Sequence, residues 1–240
     1  MTPKAYRRGY IVAVLLGIES DQASLWQIFS QVAKHQQTLT LNGGRSDPKA
    51  LYNFHESIVN ALRPTLKEGV RSIIIASPAK TNYAQDFQNH IKTHHSWLLQ
   101  GANRAAFSAI LGSASMSPQV SALTKTDAFK QLIQETASEE TENLIEILEK
   151  RLNTSENLVL FSLEEAENMI FGTQTAGKPR PEYLLLTDNY LSSSHRKNRI
   201  HRLLQIAKNR DVKTKIITAE STAGIRLTQL GGLICLATIN

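Results

Sequence analysis

The chain has 240 residues, of which 41% are hydrophobic and 20% charged, so it contains enough apolar side chains for packed domain cores. Its single cysteine, Cys235, excludes an internal disulfide and any metal site built from several cysteines. The net charge is +6, with a basic excess in residues 1–130 and 178–215 and an acidic excess in residues 134–167. Two basic segments separated by an acidic one are typical of a protein that contacts a polyanion, although solvated charged faces give the same pattern.

The N-terminal segment carries no membrane or secretion signal. The apolar run from Tyr10 to Ile18 is far shorter than the roughly 20 residues that cross a bilayer. It continues into Glu19 and Asp21 without a small-residue cleavage site. We therefore expect a soluble protein of the cytoplasm that has no membrane partner.

The first half of the chain predicts an α/β domain. Strands are expected over residues 9–18, 23–29, 34–41, 71–78 and 97–99, helices over 47–67 and 81–93, and a loop with a short helix over 101–118. Asp47-Pro48 is an N-cap followed by proline at the first helical position. The apolar run Ile73-Ile74-Ile75 is typical of a parallel strand that is buried on both faces.

The second half predicts another α/β domain. A long acidic helix over 126–152 is followed by helices at 163–172, 195–209 and 221–229 that alternate with strands at 182–187, 213–218 and 232–238. This alternation predicts a small α/β/α sandwich. The predicted fold class is therefore α/β, with two small domains, residues 1–120 and 121–240, joined by the long acidic helix.

The common catalytic motifs are absent from the sequence. It contains no phosphate-binding glycine-rich loop, dinucleotide fingerprint, nucleophile elbow or His-Glu-x-x-His. The only thiol, Cys235, lies in an apolar run and is expected to be buried and inert. These absences exclude most common enzyme classes.

A histidine-rich segment resembles a metal site at first sight. Asp86, His90 and His94 recur every four residues on one predicted helix, and His95 follows directly. The first and last of these backbones would be about 12 Å apart, too far for all three side chains to bind one zinc ion. We interpret the segment as a solvated helix face, although a site formed by His90 and His94 with a distant ligand stays open. We predict neither a metal nor a cofactor.

Two sets of residues are candidates for RNA contact. Asn103 and Arg104 end the segment Gln100-Gly101-Ala102-Asn103-Arg104, where amide and guanidinium groups in a loop suit contacts with an RNA backbone. An ordinary turn has the same composition. The second set is Arg196, Lys197, Arg199 and Arg202, in which a helical spacing of three places the arginines on one face.

Several segments resemble, in the correct order, the Pelota family and the related class-I peptide release factors of archaea and eukaryotes. They are Ile73-Ile74-Ile75-Ala76-Ser77-Pro78, Leu144-Ile145-Glu146-Ile147-Leu148, Glu182-Tyr183-Leu184-Leu185-Leu186-Thr187-Asp188 and, most specific, Gly224-Ile225-Arg226-Leu227-Thr228-Gln229-Leu230-Gly231-Gly232. The resemblance covers the family's middle and C-terminal domains. It implies that the decoding domain with which family members begin is absent here.

The resemblance implies a ribosome-binding translation factor that acts in the rescue or surveillance of stalled ribosomes. Its partners would be rRNA, the tRNA acceptor region and either a translational GTPase or the recycling ATPase. Release factors hydrolyse peptidyl-tRNA with a Gly-Gly-Gln motif, whereas the two Gly-Gly pairs of this chain are followed by Arg45 and Leu233. This departure favours a protein that is not an enzyme.

Three alternatives stay open. The first follows from a resemblance to release factors of the ribosome quality-control type. In that case the chain would be a peptidyl-tRNA hydrolase, and Gln100, the one catalytic candidate, would orient the attacking water. A ribosome hibernation factor would need the same docking without any chemistry. A more general RNA-binding module would bind free structured RNA as well as ribosomes.

Overall fold

The computed structural model describes residues 11–29, 32–101, 104–154, 157–173 and 177–239. The chain divides into two compact units, one formed by Met1–Leu66 and Val70–Glu140 and the other by Lys67–Gly69 and Thr141–Asn240. The division between the units therefore falls inside a long helix, between Glu140 and Thr141. The domain boundary near residue 121 stays a prediction.

The first unit is built on a five-stranded sheet. Its strands are β1 (Ile11–Ile18), β2 (Gln22–Phe29), β3 (Ala33–Thr40), β4 (Ser72–Ser77) and β5 (Ala106–Leu111), arranged in the order β3-β2-β1-β4-β5. The first three form an antiparallel meander, and β4 and β5 add to it in parallel. All six residues of β4 are buried, as the apolar run Ile73-Ile74-Ile75 predicts.

Helices cover both faces of this sheet. They are α1 (Pro48–Lys67), α2 (Tyr83–His94), a 3₁₀ helix (Ser96–Leu98), α3 (Ser117–Lys125) and the first half of α4 (Asp127–Leu152). Phe54, Ile58 and Leu62 recur every three or four residues along α1 and pack with α2 against one face. Val120 of α3 and Phe129 of α4 pack against the other.

The second unit is built on a four-stranded sheet in the order β6-β9-β7-β8. These strands are β6 (Val159–Leu160), β7 (Arg180–Thr187), β8 (Lys213–Ile217) and β9 (Leu233–Thr238). The helices are α5 (Leu163–Phe171), α6 (Asp188–Ser193), α7 (Lys197–Asn209) and α8 (Thr222–Gln229). The C-terminal half of α4 packs with α8 on one face, and α5 packs with α7 on the other. The predicted α/β/α sandwich is confirmed.

Three element predictions differ from the structure. Residues 97–99 do not form a strand, because Ser96–Leu98 is a 3₁₀ helix in which only Leu98 is buried. The predicted loop over 101–118, a segment rich in Ala, Ser and Gly, contains β5, an edge strand in which only Ala106 is buried. The helix expected over 195–209 begins at Lys197, after the separate helix α6. No helix in the described ranges has the length and hydropathy needed to cross a bilayer.

Candidate nucleic-acid interface

Gln100 lies in a bend after the 3₁₀ helix and not at the end of a strand. Gln100 is exposed, and Gly101 after it adopts a left-handed φ of 75° that favours glycine. The backbone N–H of Arg104 donates to the Gly101 carbonyl at 3.3 Å, and that of Ala105 donates to the Leu98 carbonyl at 2.7 Å. Asn103 lies outside the described residues. Gln100 is therefore exposed, and a backbone hydrogen bond ties Arg104 to Gly101.

Arg104 also borders a surface cleft of about 280 Å³ in the first unit. The cleft is lined by Gln88, Ile91, Lys92, Leu99, Arg104, Ala105, Phe107 and Glu139. The lining combines two basic groups, one carboxylate and an apolar floor that contains Leu99 and Phe107. A cleft of this composition suits an anionic group carried on a flat or apolar body, such as a nucleotide.

The Gly-Gly pair at residues 43–44 is followed by an arginine that is already engaged within the fold. Its guanidinium donates to the backbone carbonyl of Ser20 at 2.8 Å and to that of Glu19. It also lies 3.7 Å from the centre of the Tyr83 ring, in a cation–π contact. Arg45 thus ties the turn to the β1–β2 hairpin and to α2.

The second set of candidate residues lies at the N-terminal end of α7. Ile200, Leu203 and Ala207 of this helix are buried against the sheet, so the opposite face is presented to solvent. The four predicted basic residues are all exposed at the N-terminal end of this helix: Arg196, which is the N-cap, Lys197, Arg199 and Arg202. We call this set the α7 basic face.

The charges of the α7 basic face are not equivalent. Arg199 forms a two-point ion pair with Glu167 of α5, with N–O distances of 3.2 and 2.5 Å. The hydrogen bond that Arg199 donates to this carboxylate raises the pKa of Arg199 above its ordinary value. Arg202 lies 5.7 Å from the centre of the Phe171 ring. Arg196 and Lys197 form no ion pair with any part of the chain that the structure describes.

The histidine-rich segment is not the solvated face that the sequence suggested. His90 and His95 are only 8% and 7% exposed, and both face Glu56, which lies on α1. Their Nε2 atoms lie 3.0 and 2.7 Å from the same Glu56 oxygen. His94 is exposed and does not take part. The sequence left open a site formed by His90 and His94 with a distant ligand, whereas the structure brings His90 together with His95 and Glu56. Spacing could not identify these two partners, because Glu56 is more than 30 residues distant and His95 turns inward only where α2 ends.

Burial controls the ionisation of the groups in and beside this cluster. It lowers the pKa of His55, the neighbour of Glu56, to about 4, with smaller contributions from the charges of His90 and Arg45. Burial also lowers the pKa of His90, and the Glu56 carboxylate opposes that effect. Burial favours the neutral acid of Glu56, but the hydrogen bonds from His95 and His90 outweigh it and lower the net pKa. The lowered pKa of Glu56 favours its carboxylate form, and burial disfavours the charged form of His90 beside it.

Solved structures with a similar fold include two proteins of related kind. Over 95% of its residues, the chain matches ribosome-bound archaeal Pelota, in a structure that also contains ABCE1, with a TM-score of 0.54 and 16% identity. It matches Dom34 of S. cerevisiae, a translation termination-like factor involved in RNA quality control pathways and interacting with Hbs1, with a TM-score of 0.52 and 16% identity over 99% of its residues. No family model and no curated protein matches the sequence.

The protein therefore has a Pelota-like fold, and the resemblance predicted from the sequence is confirmed at the level of the fold. The chain spans 61% of the length of the archaeal Pelota chain and 66% of the Dom34 chain.

Proposed function

We propose that this protein is a ribosome-binding translation factor of the Pelota type, which acts in the cytoplasm in the rescue or surveillance of stalled ribosomes. The observation that carries the proposal is the match of 95% of the chain to ribosome-bound archaeal Pelota. A fold of this kind hosts more than one function, so the proposal also needs a surface that suits RNA. The exposed α7 basic face provides one.

The second unit is proposed to bind rRNA through the α7 basic face. Arg196 and Lys197 are exposed without ion pairs in the described residues, so they can contact phosphates without first breaking an internal contact. Each phosphate contact releases condensed counterions, which makes such binding strongly dependent on salt. Arg199 contributes less, because Glu167 already neutralises it.

The first unit is proposed to face the tRNA acceptor region with Asn103 and Arg104. Arg104 borders the cleft that also contains Lys92 and Phe107, which offers charge and an apolar surface to a nucleotide. The protein partner in this proposal is a translational GTPase or the recycling ATPase. The supporting observation is that the matched proteins are described with Hbs1 and ABCE1.

Co-sedimentation with ribosomes and separated subunits over a salt series tests the docking. The test variant changes Arg196, Arg199 and Arg202 to Glu, and the matched control changes three exposed lysines, Lys125, Lys150 and Lys178, to Glu. We expect wild-type binding to one particle class and a loss of at least about tenfold in the arginine variant only. Equal losses in both variants would show attraction by net charge alone, and absence of binding at low salt would refute the proposal.

The alternative is hydrolysis of peptidyl-tRNA by Gln100. The observation that favours it is the exposed position of this amide in the bend before Gly101, where it is free to orient a water molecule beside an ester. Single-turnover release of labelled peptide from stalled ribosomes decides between the two. Release by the wild type that Gln100→Ala abolishes supports hydrolysis, whereas binding without release supports the non-enzymatic factor or a hibernation factor.

A general RNA-binding module is distinguished by competition. Free structured RNA should displace such a module from ribosomes at concentrations comparable to those of ribosomal RNA. A Pelota-type factor should stay bound under the same conditions, because its two units contact separate places on one particle.

A further inference from the structure

Three potential metal ligands converge between α1 and the end of α2. Glu56 Oε1, His90 Nε2 and His95 Nε2 all lie within 4.8 Å of one another. The carboxylate oxygen is 3.0 Å from the first imidazole nitrogen and 2.7 Å from the second. In a tetrahedral zinc site with bonds near 2 Å, ligand atoms are about 3.3 Å apart, so small side-chain rotations would open this cluster around an ion.

The donor set has the chemistry of a borderline transition-metal ion. Two imidazoles and one carboxylate are a common ligand set of Zn²⁺, with the fourth position occupied by water. Ca²⁺ and Mg²⁺ are disfavoured because they require oxygen ligands. His90 and His95 have side chains only 6% and 9% exposed, whereas that of Glu56 is 28% exposed, so the carboxylate side is open to solvent. An entering ion and its water have a route there.

The imidazoles are held in place by aromatic neighbours. Tyr52 packs edge-on against His90 with ring centres 5.1 Å apart, and His55 packs against the same ring at 5.0 Å. Trp97 lies edge-on to His95 at 6.4 Å. Packing of this kind fixes ligand orientation before an ion arrives, which reduces the entropic cost of binding.

We propose that Glu56, His90 and His95 form a binding site for one divalent transition-metal ion of the Zn²⁺ class, with water as the fourth ligand. The ion connects α1 to His95, which is five residues before the exposed Gln100. Its effect is to fix the entry to the bend that carries Gln100 and Arg104. This site revises the prediction that the chain has no metal, and it is independent of the ribosome-binding proposal.

The test is metal binding by untagged, metal-free protein. The wild type is titrated with Zn²⁺ against a chromogenic chelator and with Co²⁺ followed by visible absorption, because tetrahedral and octahedral Co²⁺ have different spectra. We expect one equivalent of metal per chain, a tetrahedral Co²⁺ spectrum, and a higher urea midpoint when Zn²⁺ is present. His95→Gln and Glu56→Gln should each weaken binding by at least about tenfold.

His195→Gln is the matched control, because His195 is an exposed histidine of the second unit. It should bind Zn²⁺ as the wild type does. Glu56 is at the solvent edge of the cluster. If His95→Gln does not fold, Glu56→Gln is therefore the variant that tests the site. A wild type that binds no Zn²⁺ at micromolar concentration overturns the proposal. So does binding that is equal in the wild type, Glu56→Gln and His195→Gln, which would show that the hydrogen-bonded cluster takes no ion.

Discussion

The guanidinium of Arg199 is held by the carboxylate of Glu167 through two hydrogen bonds of 3.2 and 2.5 Å. The carboxylate is the more buried partner, since its side chain is 13% exposed against 47% for the arginine. The ion pair therefore neutralises one positive charge of the α7 basic face, although the guanidinium itself stays at the surface. A substitution in this pair therefore tests the proposed contact with RNA.

Glu167→Gln should increase the affinity of the protein for ribosomes at low salt. The amide holds the guanidinium less strongly, so Arg199 becomes available for one more phosphate contact. The slope of log affinity against log salt should then become steeper by about one. Co-sedimentation over a salt series measures both quantities.

Glu164→Gln is the control for this effect. Glu164 lies on α5, as Glu167 does, and attracts Arg199 only through its charge. Glu164→Gln therefore changes the net charge by the same amount as Glu167→Gln but does not release a guanidinium. We expect a smaller gain in affinity and an unchanged slope. Equal behaviour of the two variants would mean that net charge, and not the ion pair, governs binding.

The stability of the first unit depends on a close approach at Gly17. A methyl group at this position would lie 2.7 Å from the carbonyl oxygen of Ala114, which also accepts a hydrogen bond from the Trp26 indole at 2.7 Å. Backbone atoms must move to admit the methyl group. Gly17→Ala should therefore lower the free energy of unfolding by about 1–3 kcal/mol.

Tryptophan fluorescence in a urea titration measures this loss in the first unit alone. The chain has two tryptophans, Trp26 and Trp97, and both belong to that unit. Gly44→Ala is the control, because its added methyl group would lie 3.3 Å from the Ser46 hydroxyl and at an ordinary 3.9 Å from the Ser46 backbone nitrogen. We expect a change within about 0.5 kcal/mol for the control. A similar effect of both substitutions would contradict the role of the Ala114 carbonyl.

The elements that the sequence predicted well are those with a strong apolar period. The apolar runs of β1 and β4 specify strands that are buried on both faces, and the stripe along α1 specifies one buried helix face, so their positions follow from local pattern. The edge strand β5 was missed because it lies in a segment rich in Ala, Ser and Gly and its large apolar residues, Phe107, Ile110 and Leu111, do not alternate. Its pairing with β4 depends on tertiary contacts, which the local sequence pattern does not contain.

Contacts between distant residues account for the rest of what the sequence left open. Glu140 belongs to a run of acidic residues on α4 that looks solvated, yet it is 2% exposed and accepts hydrogen bonds from Ser72 and the backbone of Arg71. Glu56 meets the two histidines in the same way. Helical spacing describes neighbours on one helix and contains no information about which other helix lies opposite. The contacts of Glu140 and of Glu56 could therefore be identified only from the three-dimensional structure.

The only thiol of the protein should be unreactive in the native state. Burial raises the pKa of Cys235 to about 12, because the thiolate is poorly solvated within β9. At pH 8 the thiolate fraction is then roughly a thousandfold lower than that of an ordinary cysteine. Iodoacetamide should label the native protein at least a thousandfold more slowly than the urea-unfolded protein, as followed by mass spectrometry. Labelling rates within tenfold of each other would show that the strand is accessible.

Glu182 lies between two cations in the second unit. Its carboxylate accepts hydrogen bonds from Arg151 and, at 3.1 Å, from Lys213. Burial by itself would raise the pKa of Glu182, but the hydrogen bond from Arg151 and the charge of Lys213 outweigh that effect, so the net pKa is lowered. The proton is therefore held more weakly in the folded state than in the unfolded state.

The contribution of Glu182 to stability should consequently depend on pH. A lowered folded pKa stabilises the protein above the unfolded pKa, and this stabilisation disappears as the pH falls through the folded value. Glu182→Gln should be less stable than the wild type at neutral pH, and the difference should shrink between about pH 6 and pH 3. The protein is unfolded with urea at each pH, and the unfolded fraction is measured by brief thiol labelling at one fixed pH. This labelling reports the second unit, because Cys235 lies in it. Glu220→Gln, at an exposed residue, should show no comparable dependence, and a constant difference between Glu182→Gln and the wild type would refute the electrostatic origin.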